Sequence, residues 1–79
     1  MAMKDLLETI VRALVDMPEA VQVRVMEGTE GRVLYEIKVD DGDIGKIIGR
    51  QGRIIKAIRT VARACAVRDC RKVLVELAE

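Results

Sequence analysis

The two glycines of Gly49-Arg50-Gln51-Gly52 most constrain how this chain folds. Apolar residues recur at helical spacing on both sides of this segment, so the chain must turn sharply between two helices. Glycine has no Cβ, which eases a sharp turn and also lets the backbone of another molecule come close. The sequence therefore predicts a helix, a glycine loop and a second helix, with the loop accessible to a ligand.

Hydrophobic periodicity predicts the elements that precede this loop. Apolar residues at helical spacing within residues 4–16 indicate an amphipathic helix that stops near Met17-Pro18. Two segments of alternating polarity, joined by the glycine-containing connection 27–31, indicate an antiparallel hairpin. The residues expected to share one face of each strand are Val21, Val23 and Val25 in the first and Val33, Tyr35, Ile37 and Val39 in the second.

Three further elements complete the chain. A short helix is expected over residues 44–48, with the acids of residues 40–43 at its N-cap. A longer helix follows the loop and ends near Arg68-Asp69, and residues 72–77 alternate as a last strand. The order αββααβ predicts a single α+β domain over residues 1–79, with helices packed on one face of a three-stranded sheet. Two leucines are expected on the opposite face: Leu34 and Leu74.

Charge is unevenly distributed along a chain whose formal net charge is only +1. Residues 1–44 contain five basic residues and ten acids, whereas residues 45–68 contain seven basic residues and no acid. Like charges at this density are stabilised when phosphates neutralise them. A basic helix is more often a solvated face, but the coincidence with the glycine loop favours a nucleic-acid ligand.

Other glycine-loop chemistries do not fit the residues present. A dinucleotide-binding G-x-G-x-x-G motif would need glycine at Ile47, and a Walker loop would need glycine at Asp40. A calcium loop would need a closing glutamate where Gln51, Gly52 or Ile54 stands. The remaining interpretation is a G-x-x-G loop between two helices.

The residue inventory disfavours an enzyme and a metal site. The chain has no histidine, serine or asparagine, so a nucleophilic triad is impossible, and Cys65 and Cys70 alone cannot close a zinc site. A general acid–base pair is formally open but disfavoured, because the acids are scattered. No cofactor is expected. The sequence also predicts a cytosolic chain with free thiols, since it has neither a long apolar run nor a signal-peptide core.

The candidate contacts with nucleic acid have four chemical roles. The glycines let the nucleic-acid backbone approach closely, and the two residues between them supply charge and hydrogen bonds. Neighbouring basic residues face phosphates, and isoleucines form an apolar floor for the bases. These residues are Lys46, Ile48, Gly49, Arg50, Gln51, Gly52, Arg53 and Lys56. Arg59 and Arg63 lie farther along the helix and are expected to be solvated. Because Tyr35 is the sole aromatic residue, base stacking cannot dominate, and we expect strongly salt-dependent binding.

The run of residues 47–58 resembles the core motif of the KH domain, and the element order resembles its type II, bacterial arrangement. The length and residues 43–61 are similar to the KhpA family of small stand-alone KH proteins. The resemblance implies a cytoplasmic protein whose loop clamps about four nucleotides of single-stranded RNA. It further implies a homodimer, or a heterodimer with a larger KH-containing protein of the KhpB kind, acting in post-transcriptional regulation or as an RNA chaperone and in cell shape. The alternative is a protein-interaction and dimerisation module with little RNA binding of its own.

Overall fold

The computed structural model describes residues 2–68 and 72–78 of the chain. The three helices and three strands follow the predicted order αββααβ. Asp69, near the predicted end of the long helix, and Cys70 lie outside the described residues. The elements are α1 (Met3–Leu14), β1 (Gln22–Glu27), β2 (Arg32–Lys38), α2 (Ile44–Ile48), α3 (Arg53–Arg68) and β3 (Lys72–Leu77).

The sheet combines a hairpin with a crossover connection. Its strand order is β1-β2-β3, in which β1 runs antiparallel to β2 and β3 runs parallel to β2. The antiparallel hairpin was predicted from the glycine-containing connection between β1 and β2. Two adjacent parallel strands require a long connection across the sheet, and the unit formed by α2, the glycine loop and α3 is that connection. The loop is therefore held between two helices that the sheet orients.

The hydrophobic core lies between the helices and one face of the sheet. Strand pairing aligns Val23 with Ile37 and Tyr35 with Val75, so the inward-facing residues of the three strands share this face. The predicted two-layer α+β architecture is confirmed. The buried core residues are Leu7, Val11, Val21, Val23, Val33, Tyr35, Ile37, Val39, Ile47, Ile55, Ile58, Ala62 and Val75.

Two observations define where the helix layer ends. Val25 pairs with Tyr35 on the core-facing side, yet it is 42% exposed, whereas Val23 on the same strand is only 5% exposed, so burial ends partway along β1. On the opposite face Met26, Leu34 and Leu74 form one row across the sheet, with Leu74 58% exposed. The prediction that Leu34 and Leu74 point away from the helices is confirmed, whereas strand alternation alone overestimated the burial of Val25.

The first helix is shorter than its hydrophobic pattern suggests. The periodicity extends to Asp16, but α1 ends at Leu14 and Val15 is already extended, with φ −100° and ψ 161°. The N–H groups of Asp16 and Met17 bond to a carboxylate on a distant part of the chain, so they are not available for another helical turn. No helix among the described residues is both long and apolar enough to cross a membrane.

Candidate nucleic-acid interface

The glycine loop is a compact turn with a left-handed backbone. Gly49 ends α2 with φ +74° and ψ 175°, Gln51 has φ +58°, and Gly52 has φ +72°. The Gly52 N–H donates to the Gly49 carbonyl at 3.2 Å and closes the turn directly before Arg53 begins α3. Three positive φ angles within four residues explain why this segment needs its glycines.

The two glycines are required for different reasons. A Cβ on Gly49 would lie 2.6 Å from Cγ1 of Ile54, a half-buried side chain packed against the core. A Cβ on Gly52 would meet only Cε of Lys56, at 3.9 Å. The absence of a side chain at Gly49 is therefore required by packing, whereas Gly52 leaves an open surface beside the Lys56 stem.

Polar side chains project from this turn. Arg50, Gln51 and Arg53 are all exposed, and Nη2 of Arg53 donates to Oε1 of Gln51 at 3.4 Å. Because α3 begins at Arg53, the first N–H groups of that helix and its positive dipole end lie beside the loop. The loop therefore presents positive charge and hydrogen-bond donors together.

A groove beside the loop, here called the loop groove, lies between the helices and the end of β3. Its cavity volume is about 390 Å³. Ile48 at the end of α2 is half-buried, and Ile55 in the first turn of α3 is buried, so two isoleucines contribute to an aliphatic wall. The lining residues are Ile48, Ile55, Arg59, Glu76 and Leu77.

Lys46, expected as a phosphate-facing charge, is ion-paired in the structure. Its ammonium group forms ion pairs with Asp16 and with Oδ1 of Asp43, the latter at 3.4 Å. The hydrogen bond to Asp16 is the main reason that the pKa of Lys46 is raised, although desolvation opposes it. Lys46 does not line the loop groove. It instead links α2 to the segment that follows α1.

Asp43 was expected to cap α2 but instead accepts hydrogen bonds from a distant segment. Asp43 is 2% exposed, and its two oxygens accept the N–H of Asp16 at 3.2 Å and the N–H of Met17 at 3.0 Å. Burial raises the pKa of Asp43, but these hydrogen bonds and Lys46 outweigh burial and hold the pKa below its ordinary value of 3.8. Asp43 occupies the N-cap position of α2 but makes no side-chain capping hydrogen bond there, whereas Asp40 accepts the N–H of Gly42 at 3.0 Å and caps the short turn of residues 41–43 that precedes α2. Asp43 therefore anchors the start of the short helix that leads to the loop.

Replacing Asp43 with asparagine is expected to lower Tm by about 5 to 10 °C. The side-chain NH2 of asparagine would face one of the two backbone N–H groups, donor against donor, and Lys46 would lose a charged partner. The folded pKa is depressed, so the stabilisation by Asp43 is present above the unfolded pKa and is lost as pH falls through the folded pKa. Thermal melts by circular dichroism should show the wild-type advantage at neutral pH and its decline below 3.8. The exposed neighbour Asp41, changed to asparagine, is the control and should show little change. An unchanged Tm for Asp43→Asn would contradict the anchoring role.

A second, apolar groove lies between α1 and α3 and is here called the helix groove. Its cavity volume is about 290 Å³, and Val61 on its wall is 43% exposed. Among the described residues, Arg53 is the sole charged one that lines it. The lining residues are Ile10, Leu14, Arg53, Ile54, Ala57, Ile58 and Val61.

Metal-ligating chemistry is sparse in this structure. Cys65 is a half-buried free thiol on α3. Within residues 2–68 and 72–78, no three His, Cys, Asp or Glu side chains are grouped to hold a metal ion.

The element order, the adjacent parallel strands and the G-x-x-G turn between two helices define a KH domain of type II. A family model described as "KhpA/KhpB, KH domain" matches residues 4–77, and the chain belongs to this family.

Curated relatives match over nearly the whole chain. RNA-binding protein KhpA of Clostridium acetobutylicum is 53% identical over 75 residues, which are 95% of this chain and 99% of the relative. RNA-binding protein KhpA of Chlamydia trachomatis is 51% identical over 77 residues, which are 98% of this chain and 97% of the relative. The prediction of a protein resembling the KhpA family is confirmed.

A solved structure shows the same fold in a larger protein. Era in complex with MgGDPNP and nucleotides 1506-1542 of 16S ribosomal RNA has a TM-score of 0.65 and 23% identity. The alignment covers 95% of this chain and 28% of the Era chain. At this level of identity the likeness demonstrates a shared fold.

Proposed function

We propose that this protein binds single-stranded RNA, with the RNA backbone passing over the glycine loop and the bases resting in the loop groove. The observation that carries this proposal is the open, basic turn beside a groove with an aliphatic wall. Gly52 leaves space for a close backbone, and Ile48 and Ile55 offer apolar contact to bases. The relatives named RNA-binding protein KhpA support the same class of ligand.

The loop binds phosphates through charge and backbone donors acting together. Arg50 and Arg53 supply exposed guanidinium groups, and the Lys56 stem passes the open side of Gly52. The first N–H groups of α3 add donors that favour an anion. Lys46 has a supporting role in this proposal, because its ion pairs hold the base of α2.

Base recognition in this groove relies on hydrogen bonds and aliphatic contact. Tyr35, the sole aromatic residue of the chain, is buried in the core and is unable to stack on a base. We propose that about four nucleotides occupy the loop and its groove, as is typical of KH domains. Affinity per domain is then modest, and a dimer raises it by making the second contact intramolecular.

The cellular role we propose is non-enzymatic. The chain would act in the cytoplasm as a post-transcriptional regulator or RNA chaperone with an effect on cell shape. It would do so as a homodimer or together with a larger KhpB-like protein. All residues 1–79 would form one KH domain in this assembly.

The second candidate function is protein interaction, and the helix groove favours it. An apolar surface with Val61 43% exposed suits a protein partner better than a polyanion. In that case the chain would dimerise or dock on another protein while its loop contributes little RNA binding.

Salt dependence separates these two functions. We expect a fluorescently labelled single-stranded octanucleotide to bind, with log affinity falling linearly as log salt rises between about 50 and about 300 mM. Three or four phosphate contacts give a slope of about −2 to −3. Fluorescence anisotropy measures the affinity, and an RNA duplex of the same sequence is the control. Absence of binding at the lowest salt, with light scattering showing a dimer, would favour the protein-interaction function instead.

A further inference from the structure

The face of the sheet that points away from the helices, here called the outer face, carries an apolar row across all three strands. Met26 of β1, Leu34 of β2 and Leu74 of β3 stand side by side in the register of the sheet. Met26 is 39% exposed, Leu34 is half-buried and Leu74 is 58% exposed. Scattered surface leucines are ordinary, but three adjoining apolar side chains form a patch that a partner can bury.

Charged rows of opposite sign flank the apolar row. On one side the register pairs Arg32 with Lys72, both exposed. On the other side it pairs Glu36 with Glu76, and Arg24 forms an ion pair with Glu36 at 3.8 Å. In-register neighbours on one face of a sheet have their side chains about 5 Å apart, and like charges in such positions repel. The outer face therefore holds a basic and an acidic like-charge pair, each of which is stabilised when opposite charges cover it.

The order of these rows is self-complementary under one two-fold rotation. When two sheets stack face to face about an axis along the apolar row, the apolar row of one copy covers the same row of its partner. The rotation also reverses the strand direction, so the basic row lies over the partner's acidic row. Arg32 then faces the partner's Glu36. Lys72 likewise faces the partner's Glu76, and by symmetry each contact occurs twice.

The other face-to-face rotation is unfavourable. An axis parallel to the strands would place Glu36 over the partner's Glu36 and Arg32 over the partner's Arg32, because both lie on the central strand β2. Like charges would then meet at the centre of the interface, which costs affinity. The charges of the outer face thus select a single orientation for a second copy.

We propose that two copies of this chain associate through their outer faces, with each strand lying over the same strand of its partner in the opposite direction. This inference rests on the homodimer of the proposed function and names its surface. Side chains of sheets stacked about 10 Å apart interdigitate, which suits the apolar rows. The helices and the glycine loop lie on the other side of the sheet, so both loops stay free for RNA.

The size of the outer face sets the strength of this dimer. Its strands have six, seven and six residues. At about 3.3 Å per residue and about 4.8 Å between strands, the footprint is roughly 300 Å² per copy. A standard interface buries about 800 Å² per partner. We therefore expect a weak, concentration-dependent dimer with a dissociation constant of about 10 to 100 µM.

Two single charge reversals test the contact between Lys72 and the partner's Glu76. Lys72→Glu places acid over acid and Glu76→Lys places lysine over lysine, so each variant alone should dimerise about tenfold more weakly than wild type. An equimolar mixture of the two variants restores both contacts and should dimerise as wild type does. Sedimentation equilibrium without RNA, between about 5 and about 500 µM protein, measures the dissociation constants.

Folding does not confound these variants. Within one chain Lys72→Glu places an acid beside Arg32, and Glu76→Lys places a lysine beside Glu36. Each reversal therefore replaces a repulsive neighbour with an attractive one, and the thermal melt of the dilute monomer should not fall.

The apolar row is tested at its most exposed member. Leu74→Glu should weaken the dimer about tenfold or more, because it places a charge in the centre of the buried row. Val61→Glu makes a comparable change at a 43% exposed residue of the helix groove and is the matched control. Its dissociation constant should stay within about twofold of wild type. Thermal melts confirm that both variants are folded.

The outcomes distinguish this inference from RNA binding. A wild type that stays monomeric over the whole concentration range would overturn both this inference and the proposed homodimer, whereas RNA binding by the monomer is decided by the salt series. If the wild type dimerises and Val61→Glu rather than Leu74→Glu prevents it, the helix groove is the interface and only this inference is wrong. A mixture of the two charge variants that remains as weak as either variant alone would also overturn it.

Discussion

Replacing Gly49 with alanine is expected to lower the free energy of unfolding by about 3 kcal/mol. Gly49 combines φ +74° with ψ 175°, a region that is essentially restricted to glycine. The added Cβ would lie 2.6 Å from Ile54 Cγ1, and the packed Ile54 side chain has little room to move. A domain of this size is marginally stable, so the loss is a large share of its total.

Gly52→Ala is the matched control for this prediction. Gly52 also has a positive φ, +72°, but its Cβ would meet nothing closer than Lys56 Cε at 3.9 Å. We expect a loss of about 1 kcal/mol from backbone strain alone. Urea unfolding followed by circular dichroism measures both variants. Equal losses at the two glycines would show that the contact with Ile54 is unimportant.

Replacing both Arg50 and Gln51 with aspartate is expected to weaken tetranucleotide binding by about 100-fold or more. The double change turns a positive loop negative, so phosphates are repelled where they were attracted. The fold should survive, because both positions are exposed and aspartate tolerates the left-handed conformation that Gln51 adopts at φ +58°. Fluorescence anisotropy at fixed salt gives the affinity, and a thermal melt confirms folding.

A control with the same change in charge is available on the outer edge of the sheet. Gln22 and Arg24 are exposed on β1, and replacing both with aspartate adds the same negative charge far from the loop. The ion pair of Arg24 with Glu36, at 3.8 Å and largely exposed, contributes little stability. The control should keep most of its RNA affinity. If the loop variant binds RNA as well as this control does, the glycine loop is not the binding site.

Much of the fold was predictable because its determinants are local. Helical spacing in α1 and α3 and alternation in β2 depend on residues a few positions apart, and the resulting elements match the structure. The end of α1 was predicted too late, because the groups that stop it bond to Asp43, far along the chain. The same distant contact makes Asp43 an anchor, a role that its position before α2 did not reveal.

The candidate site shows a similar division. The basic loop and its two glycines were recognisable in the sequence, since charge and glycine spacing are read directly. The sequence did not show that Gly49 and Gly52 are required for different reasons, because only the packing of Ile54 against Gly49 distinguishes the two positions. Nor did the sequence show that Lys46 is held in ion pairs.

The sequence by itself determined the order of elements, the place of the G-x-x-G turn and the concentration of positive charge around it. Each of these three features depends on residues close together in the chain, so it does not depend on how the helices pack on the sheet. The tertiary structure alone decided that Arg59 and Arg63 line a cavity against β3 and that Arg59 also lines the loop groove. These contacts join residues far apart in the chain, and only the packing of α3 against the edge strand brings them together.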